Sequence, residues 1–353
     1  MSPKTTILTY FVATVAILLA SRNLIDIPNS SSLKYFVNLS DLNTSSSGKI
    51  GSICDDFPPG FPPPDTNTTS YLCVDPNGCC KFTLVQAAVD AVPTPSSKRT
   101  IIWINKGIYY HGSKQTKPNI TFQGQGYEMT AISWNDTANS AHGTFYSGSV
   151  QVFADNFVAK NISFMNIRRP SCIFGLGFFG AQDTLHDDRG RHYFKDCYIQ
   201  GSVDFIFGNG RSLYANCQLI SMSSPVPLGT KSINGAVTAH GRASMDENTG
   251  YAFVNCFIGG TGRVWLGRAW RPFSRVVFAS TTMTDIIAPE GWNDFNDPTR
   301  DQTIFYGEYN NSGAGANMSL RAPYVQKLND TQASLFLNVS SIDGGDWLQS
   351  VIN

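Results

Sequence analysis

The chain has 353 residues, 42% of them apolar, with zero net charge and no block of like charges. That balance excludes nucleic acid or an anionic membrane as the main partner, while an acidic polymer stays compatible because a groove can be basic locally. The length is generous for one ordinary globular domain and suits an elongated all-β one.

At the N-terminus, Lys4 precedes "ILTYFVATVAILLA" (7–20), fourteen residues without a charge. A spanning helix needs ~20 such residues, so residues 1–20 are expected to be a secretory signal, with Ala20 and Ser21 at the cleavage point. An uncleaved signal anchor is the competing reading. Secretion fits eleven Asn-x-Ser/Thr sequons, at Asn29, Asn38, Asn43, Asn67, Asn119, Asn135, Asn161, Asn310, Asn317, Asn329 and Asn338, which predict an extracellular glycoprotein. Eight cysteines would then meet an oxidising compartment; their spacing suggests buried thiols with one or two bridges, not a disulfide scaffold or a metal site.

Residues 21–70 are rich in Ser, Asn and Pro ("NTSSSG", "FPPGFPPP") and are expected to be a flexible linker. Order should begin near Tyr71. "FTLVQAAVDAVP" (82–93) places Leu84, Ala87, Ala88 and Ala91 at helical spacing and ends at Pro93, the one convincing helix. Short β-branched and aromatic runs follow, among them "TIIWINKGIYY" and "NITFQGQG".

One local pattern recurs. "YFKDCYIQG", "LYANCQLIS" and "AFVNCFIGG" share an aromatic, two residues, Cys, one residue, then Leu or Ile, with "VVFASTTM" a degraded fourth copy. Their cysteines, Cys197, Cys217 and Cys256, are spaced 20 and 39 apart. A period near 20 built from strands predicts an all-β parallel β-helix with one short N-terminal helix, and makes Cys197 and Cys217 stacked core residues. Coincidental spacing in a β-sandwich is the bland alternative.

"GSVDFIFGNG" (201–210) puts Asp204 in the middle of an apolar strand, where an unpaired carboxylate is costly. "GAQDTLHDD" (180–188) supplies Asp183, 21 residues earlier. That offset matches the repeat and predicts the two aspartates on neighbouring coils, with backbones ~4.8 Å apart. Carboxylates so close split their pKa values, giving one nucleophile or base and one proton donor. Asp187 and Asp188 read instead as turn residues beside Arg189–Gly190. "VWLGRAWRPF" adds Arg268, a counter-charge for the deprotonated aspartate, and Trp270, a face for a sugar ring.

"GAQDTL", "GSVDFIFGNG" and "LGRAW", in this order, resemble signature segments of plant pectin methylesterases, supported by "GIYY", "ITFQGQG" and "GTFYSGSV". The resemblance covers residues 71 to 345 and leaves 346–353 as a C-terminal tail. It implies a right-handed parallel β-helix that hydrolyses the C6 methyl esters of homogalacturonan and releases methanol. By match to the motifs, Asp204 is the nucleophile, Asp183 the proton donor and later base, and Gln182 an oxyanion donor. Arg268, Trp270 and Thr144 would bind substrate. No metal or organic cofactor is implied. The implied partners are pectin and a pectinesterase inhibitor protein, the chain acting as a monomer in the cell wall.

Departures accompany the resemblance. A "QAVAL"-like strand, whose Gln is a second oxyanion donor, should precede "QDTL" by about 20 residues, yet "NIRRPSCIFGLGFFGAQDTL" runs straight through. About one coil is missing. His111 replaces a Glu, His186 an aromatic and Ala269 a Pro, and the inhibitor-like pro-region of many relatives is lacking. The alternative function is therefore a family member that binds pectin or an inhibitor without turnover. A Ser-His-Asp esterase is disfavoured, because no G-x-S-x-G occurs. A β-helical polysaccharide hydrolase or lyase lacks the extra acidic cluster it would need.

Overall fold

The computed structural model describes residues 68–94, 96, 98–134, 148–166, 176–227 and 230–348. The expected signal segment, most of the linker and Thr144 lie outside them. Within them the strands stack in parallel ladders, one strand per sheet per coil, as a parallel β-helix requires.

One sheet of eight strands runs from Gly107–Tyr110 to Thr282–Met283 without interruption. The other two sides of the coil are each divided. On one side, a four-stranded sheet ends at Val158–Lys160 and a six-stranded sheet begins at Arg191–Lys195. On the other, a two-stranded sheet ends at Val150–Val152 and a five-stranded sheet begins at Leu185–His186. Both divisions fall at the same coil. There Ser163 pairs with Gly177, only 14 residues on, whereas Leu176 pairs with Cys197, 21 residues on. Fourteen residues complete a turn along the continuous sheet but leave no described strand for the other two sides.

The recurring motif owes its spacing to columns of like side chains. Phe194, Tyr214, Phe253 and Phe278 stack ring on ring, with centroids 4.5, 4.4 and 4.5 Å apart. Three residues later, Cys197, Cys217, Cys256 and Thr281 form a second column, each donating to the carbonyl two residues before it at 3.1–3.5 Å. Thr281 is thus the cysteine of the degraded copy. The residues just before these four, Asp196, Asn216, Asn255 and Ser280, all turn at φ near +50° (54°, 56°, 54° and 49°). Asn and Asp tolerate that left-handed conformation best, so the repeat has a third fixed position. The three cysteines are free and buried, while Cys73 and Cys80 form a disulfide and Cys79 is also disulfide-bonded.

The helix is shorter than the periodicity suggested, Val85–Ala91, and its buried face is Val85, Ala88 and Val89, with Leu84 49% exposed. The reason is tertiary: Val85, Ala88, Val89 and Val92 cover the apolar end of the coil stack formed by Ile102, Ile104 and Ile120. Two further helices, Asp330–Ser334 and Gly344–Trp347, are single turns near the C-terminus. Of the described sequons, Asn161, Asn310, Asn317, Asn329 and Asn338 are exposed.

Each stacked aromatic pair contributes about 0.5–1.5 kcal/mol beyond area burial. Phe253, fully buried between two such partners, should therefore cost about 3–5 kcal/mol when changed to Ala. Phe257→Ala, at an exposed site on the neighbouring sheet, should cost well under half as much. Denaturant unfolding of both variants checks the ranking.

Candidate active site

Asp183 and Asp204 stand on neighbouring coils in register: Gln182 bridges to Val203, and the Asp183 amide donates to the Val203 carbonyl at 3.1 Å. The repeat offset therefore predicted their pairing correctly. Their local setting differs from the mid-strand reading. Asp204 lies at a bend ahead of the strand Ile206–Gly208, with φ of 49°, and Asp183 adopts the matching φ of 54° ahead of Leu185–His186. The left-handed bend breaks strand alternation, so Phe205 and Ile206 are consecutive and both fully buried. The Asp204 carboxylate is thereby turned toward Arg268.

Arg268 ends the strand Val264–Arg268 and grips Asp204 with both arms of its fork. Nε donates to Oδ1 at 2.9 Å and Nη2 donates to Oδ2. This bidentate bond is the counter-charge that a carboxylate only 8% exposed requires, and it raises the Arg268 pKa further. Asp183 has no such partner: burial, then the negative charge of Asp204, push its pKa up to about 6, with Arg268 opposing. The two acids are thus differentiated. Arg268 clamps the one, while the other holds its proton up to about pH 6.

Around the pair lies an aromatic wall. His186 stacks on Phe207 at 4.4 Å and 9°, and Phe207 meets Trp270 at 6.3 Å. Trp270, 38% exposed, lies over Gly241, where a Cβ would sit 3.0 Å from its ring. Desolvation holds the His186 pKa below its ordinary value, against the charges of Asp188 and Asp187. Gln182 is exposed at the same edge, one residue from Asp183. Of the expected residues, Asp183, Asp204, Gln182, Arg268 and Trp270 meet at one place; Thr144 lies outside the described residues, as do 167–175 in the shortened coil.

Sequence reasoning missed the support behind Arg268. Phe295 places its ring 5.1 Å from the Arg268 guanidinium carbon and 5.5 Å from that of Arg300. Arg300 donates to the carbonyls of Ala269 and Trp270 and bonds Asp297 at 2.9 Å. "NDFNDP" carries a turn signal but none for an aromatic wedge, so only the fold reveals it. Asp188 behaves as a turn residue, accepting from the Asn209 amide at 3.0 Å; Asp187 does not, being fully buried against His192 and Tyr214. No cluster of three or more His, Cys, Asp or Glu that could hold a metal occurs among the described residues.

A family model described as Pectinesterase matches residues 71–345. "Probable pectinesterase 8" of Arabidopsis thaliana is 66% identical over 319 residues, covering 84% of this chain and 81% of its own. "Pectinesterase QRT1" of the same plant is 39% identical over 312 residues, covering 80% of each. Among solved structures, the pectin methylesterase from carrot has a TM-score of 0.73 at 30% identity, over 80% of this chain and 96% of its own. That from Aspergillus niger has a TM-score of 0.66 at 26% identity, over 79% and 96%. The match to pectinesterase 8 takes in about 297 residues of this chain, 84% of 353, against 319 aligned. About 22 aligned positions thus have no counterpart here, roughly the size of one coil.

The raised Asp183 pKa has a stability consequence with a definite sign. Its folded value of about 6 exceeds the ordinary 3.8, so the stability it contributes is complete below pH 3.8 and is lost as pH rises through about 6. Asp183→Asn should therefore melt at a higher temperature than wild type near pH 7.5, with the gain gone near pH 4. Thermal melting at the two pH values tests this; an equal shift at both would contradict the coupling.

Proposed function

Because the chain belongs to the pectinesterase family, whose enzymes hydrolyse the methyl esters of pectin, we propose that Asp204 and Asp183 divide that reaction between them. Asp204 is the nucleophile. Its free oxygen lone pair bonds to the ester carbonyl carbon at C6, and the carbonyl electrons move to oxygen, where a Gln182 N–H donates to the developing charge. Collapse breaks the bond from C6 to the methoxy oxygen, which takes the Asp183 proton and leaves as methanol. The mixed anhydride left on Asp204 is then opened by water, whose proton goes to the Asp183 carboxylate. The products are the regenerated pair and galacturonic acid, which releases its remaining proton to solvent to become the carboxylate.

The single observation that carries this reading is the unequal pair itself: one carboxylate clamped by Arg268, its neighbour raised to about 6. Arg268 pairs with Asp204 and aims it, and Phe295 keeps Arg268 in place. Trp270, Phe207 and His186 offer flat faces for sugar rings. Thr144 is a further substrate contact by motif match. Pectin is a cell-wall polymer, so this reading carries with it secretion through the N-terminal segment and glycosylation at exposed sequons; a mature protein beginning near Ser21 would support it.

A second reading, pectin or inhibitor binding without turnover, is favoured by one observation. The Leu185–His186 strand beside Asp183 is the end strand of its sheet among the described residues, where the resemblance places a strand with a second oxyanion donor. Methanol release from highly methylated pectin separates the two readings. Wild type should release it, and Asp204→Asn should lose at least about a thousandfold in kcat. An inert wild type retained on a pectin column would establish the second reading, and grafting in the absent strand would then restore turnover.

Asp183 must be protonated to release methanol, so kcat/KM should fall with rising pH along a limb near pH 6. Bound polymer excludes water and moves the same limb in kcat to higher pH. Initial rates at low and saturating pectin check both limbs; a kcat/KM flat from about pH 5 to about pH 8 would sink the assignment.

A further inference from the structure

Asp187 is a fully buried carboxylate that the reaction above does not use. Oδ1 accepts from His192 Nδ1 at 2.5 Å and Oδ2 accepts from the Tyr214 hydroxyl at 2.5 Å. Its backbone is held as tightly: the amide donates to the Phe207 carbonyl at 2.7 Å, and the carbonyl accepts from the Gly210 amide at 2.9 Å and the Tyr251 hydroxyl at 2.8 Å. These partners span three coils. His192 lies on Asp187's own coil in Arg191–Lys195, Tyr214 on the Asp204 coil in Arg211–Ala215, and Tyr251 on the next in Gly250–Val254. Gly210 is part of the fit, since a Cβ there would meet Asp187 Oδ1 at 2.4 Å.

The placement of this knot gives it a role. Asp187 lies four residues after Asp183, with only Leu185–His186 as strand between them. Among the described residues that strand is laddered on one side alone, to Ile206–Gly208. That ladder, the Gln182–Val203 bridge and the Asp183 amide all tie Asp183 to the Asp204 coil, from one side. Burial opposes charge on Asp187, yet His192 and the hydroxyl donors still hold its carboxyl below the ordinary range, and Asp187 raises His192 against burial. Each partner thus favours the charged form of the other.

We propose that the Asp187–His192 pair is a positioning element for catalysis, tying the strand beside Asp183 to the coils behind it and so holding Asp183 opposite Asp204. The role rests on the reading of Asp183 as proton donor. Tyr214 and Tyr251 transmit it, each reaching from a different coil to the same residue. Asp188, Ser212 and Gly190 are the other near neighbours of His192, and none of them replaces the carboxylate as partner.

The test compares Asp187→Asn, His192→Ala and His192→Gln with wild type and Asp183→Asn, well below their melting temperatures. A displaced proton donor lowers kcat while leaving pectin binding alone, so kcat should fall roughly ten- to a hundredfold in Asp187→Asn with KM nearly unchanged. His192→Gln, which keeps a donor toward Oδ1, should retain clearly more kcat than His192→Ala. Wild-type kcat in folded Asp187→Asn and His192→Ala, with Asp183→Asn inert, overturns the positioning role alone. Full turnover by Asp183→Asn overturns the proton-donor reading and the positioning role with it. If Asp187→Asn does not fold, the partly exposed His192 decides. If wild type itself is inert, melting temperatures decide: the gain from Asp183→Asn near pH 7.5 should shrink in a His192→Ala background, and an undiminished gain overturns the proposal.

Discussion

Adjacent parallel strands lie about 4.8 Å apart, and everything distinctive in this chain follows from residues forced into contact at that spacing. For rings and thiols the contact is favourable, and the columns Phe194–Tyr214–Phe253–Phe278 and Cys197–Cys217–Cys256 are the result. For carboxylates it is not. Asp183 and Asp204 occupy one column position on successive coils, and two like charges there resolve their repulsion by becoming different. Arg268 makes the difference, because its fork closes on Asp204 while Asp183 is raised to about 6. The same geometry that builds the core therefore builds the chemical asymmetry of the site.

Side chains at positive φ contribute the second half of that geometry. Asp183, Asp204, Asp196, Asn216 and Asn255 all turn left-handed, so acidic and amide residues serve as corners of the coil. At one pair of corners the side chains do structural work, where Asn216 donates to Asp196 at 3.2 Å. At Asp183 and Asp204 the corner faces the aromatic wall of His186, Phe207 and Trp270 instead. A corner residue whose side chain is already polar needs little change to become a reactive one.

The fold was legible because its period is written in side-chain type: Phe, Cys and Asn recur at fixed phase, and the 21-residue offset of the aspartates shares that period. Asp204 was misplaced within its element, since hydrophobicity alone reads "VDFIFG" as continuous strand and cannot reveal a left-handed bend. The helix face was displaced by one residue for a similar reason, as Val85 rather than Leu84 meets the coil end. Phe295, Arg300 and the network around Asp187 were illegible because their partners lie 27 to 31 residues away. Such contacts depend on loop paths, which carry no period.

The 14-residue turn between Ser163 and Gly177 makes this solenoid comparable to a crystal with a dislocation. Among the described residues one lattice row, the continuous sheet, passes through the fault unbroken, while two rows terminate on either side of it. In crystals, slip and fracture start at such lines, because load is carried there by a single row of bonds. By the same logic the described residues have a built-in seam between an N-terminal block and a C-terminal block, with Asp183 on the first coil beyond it and Asp204 on the second. A molecule of this kind would yield first next to its own active site.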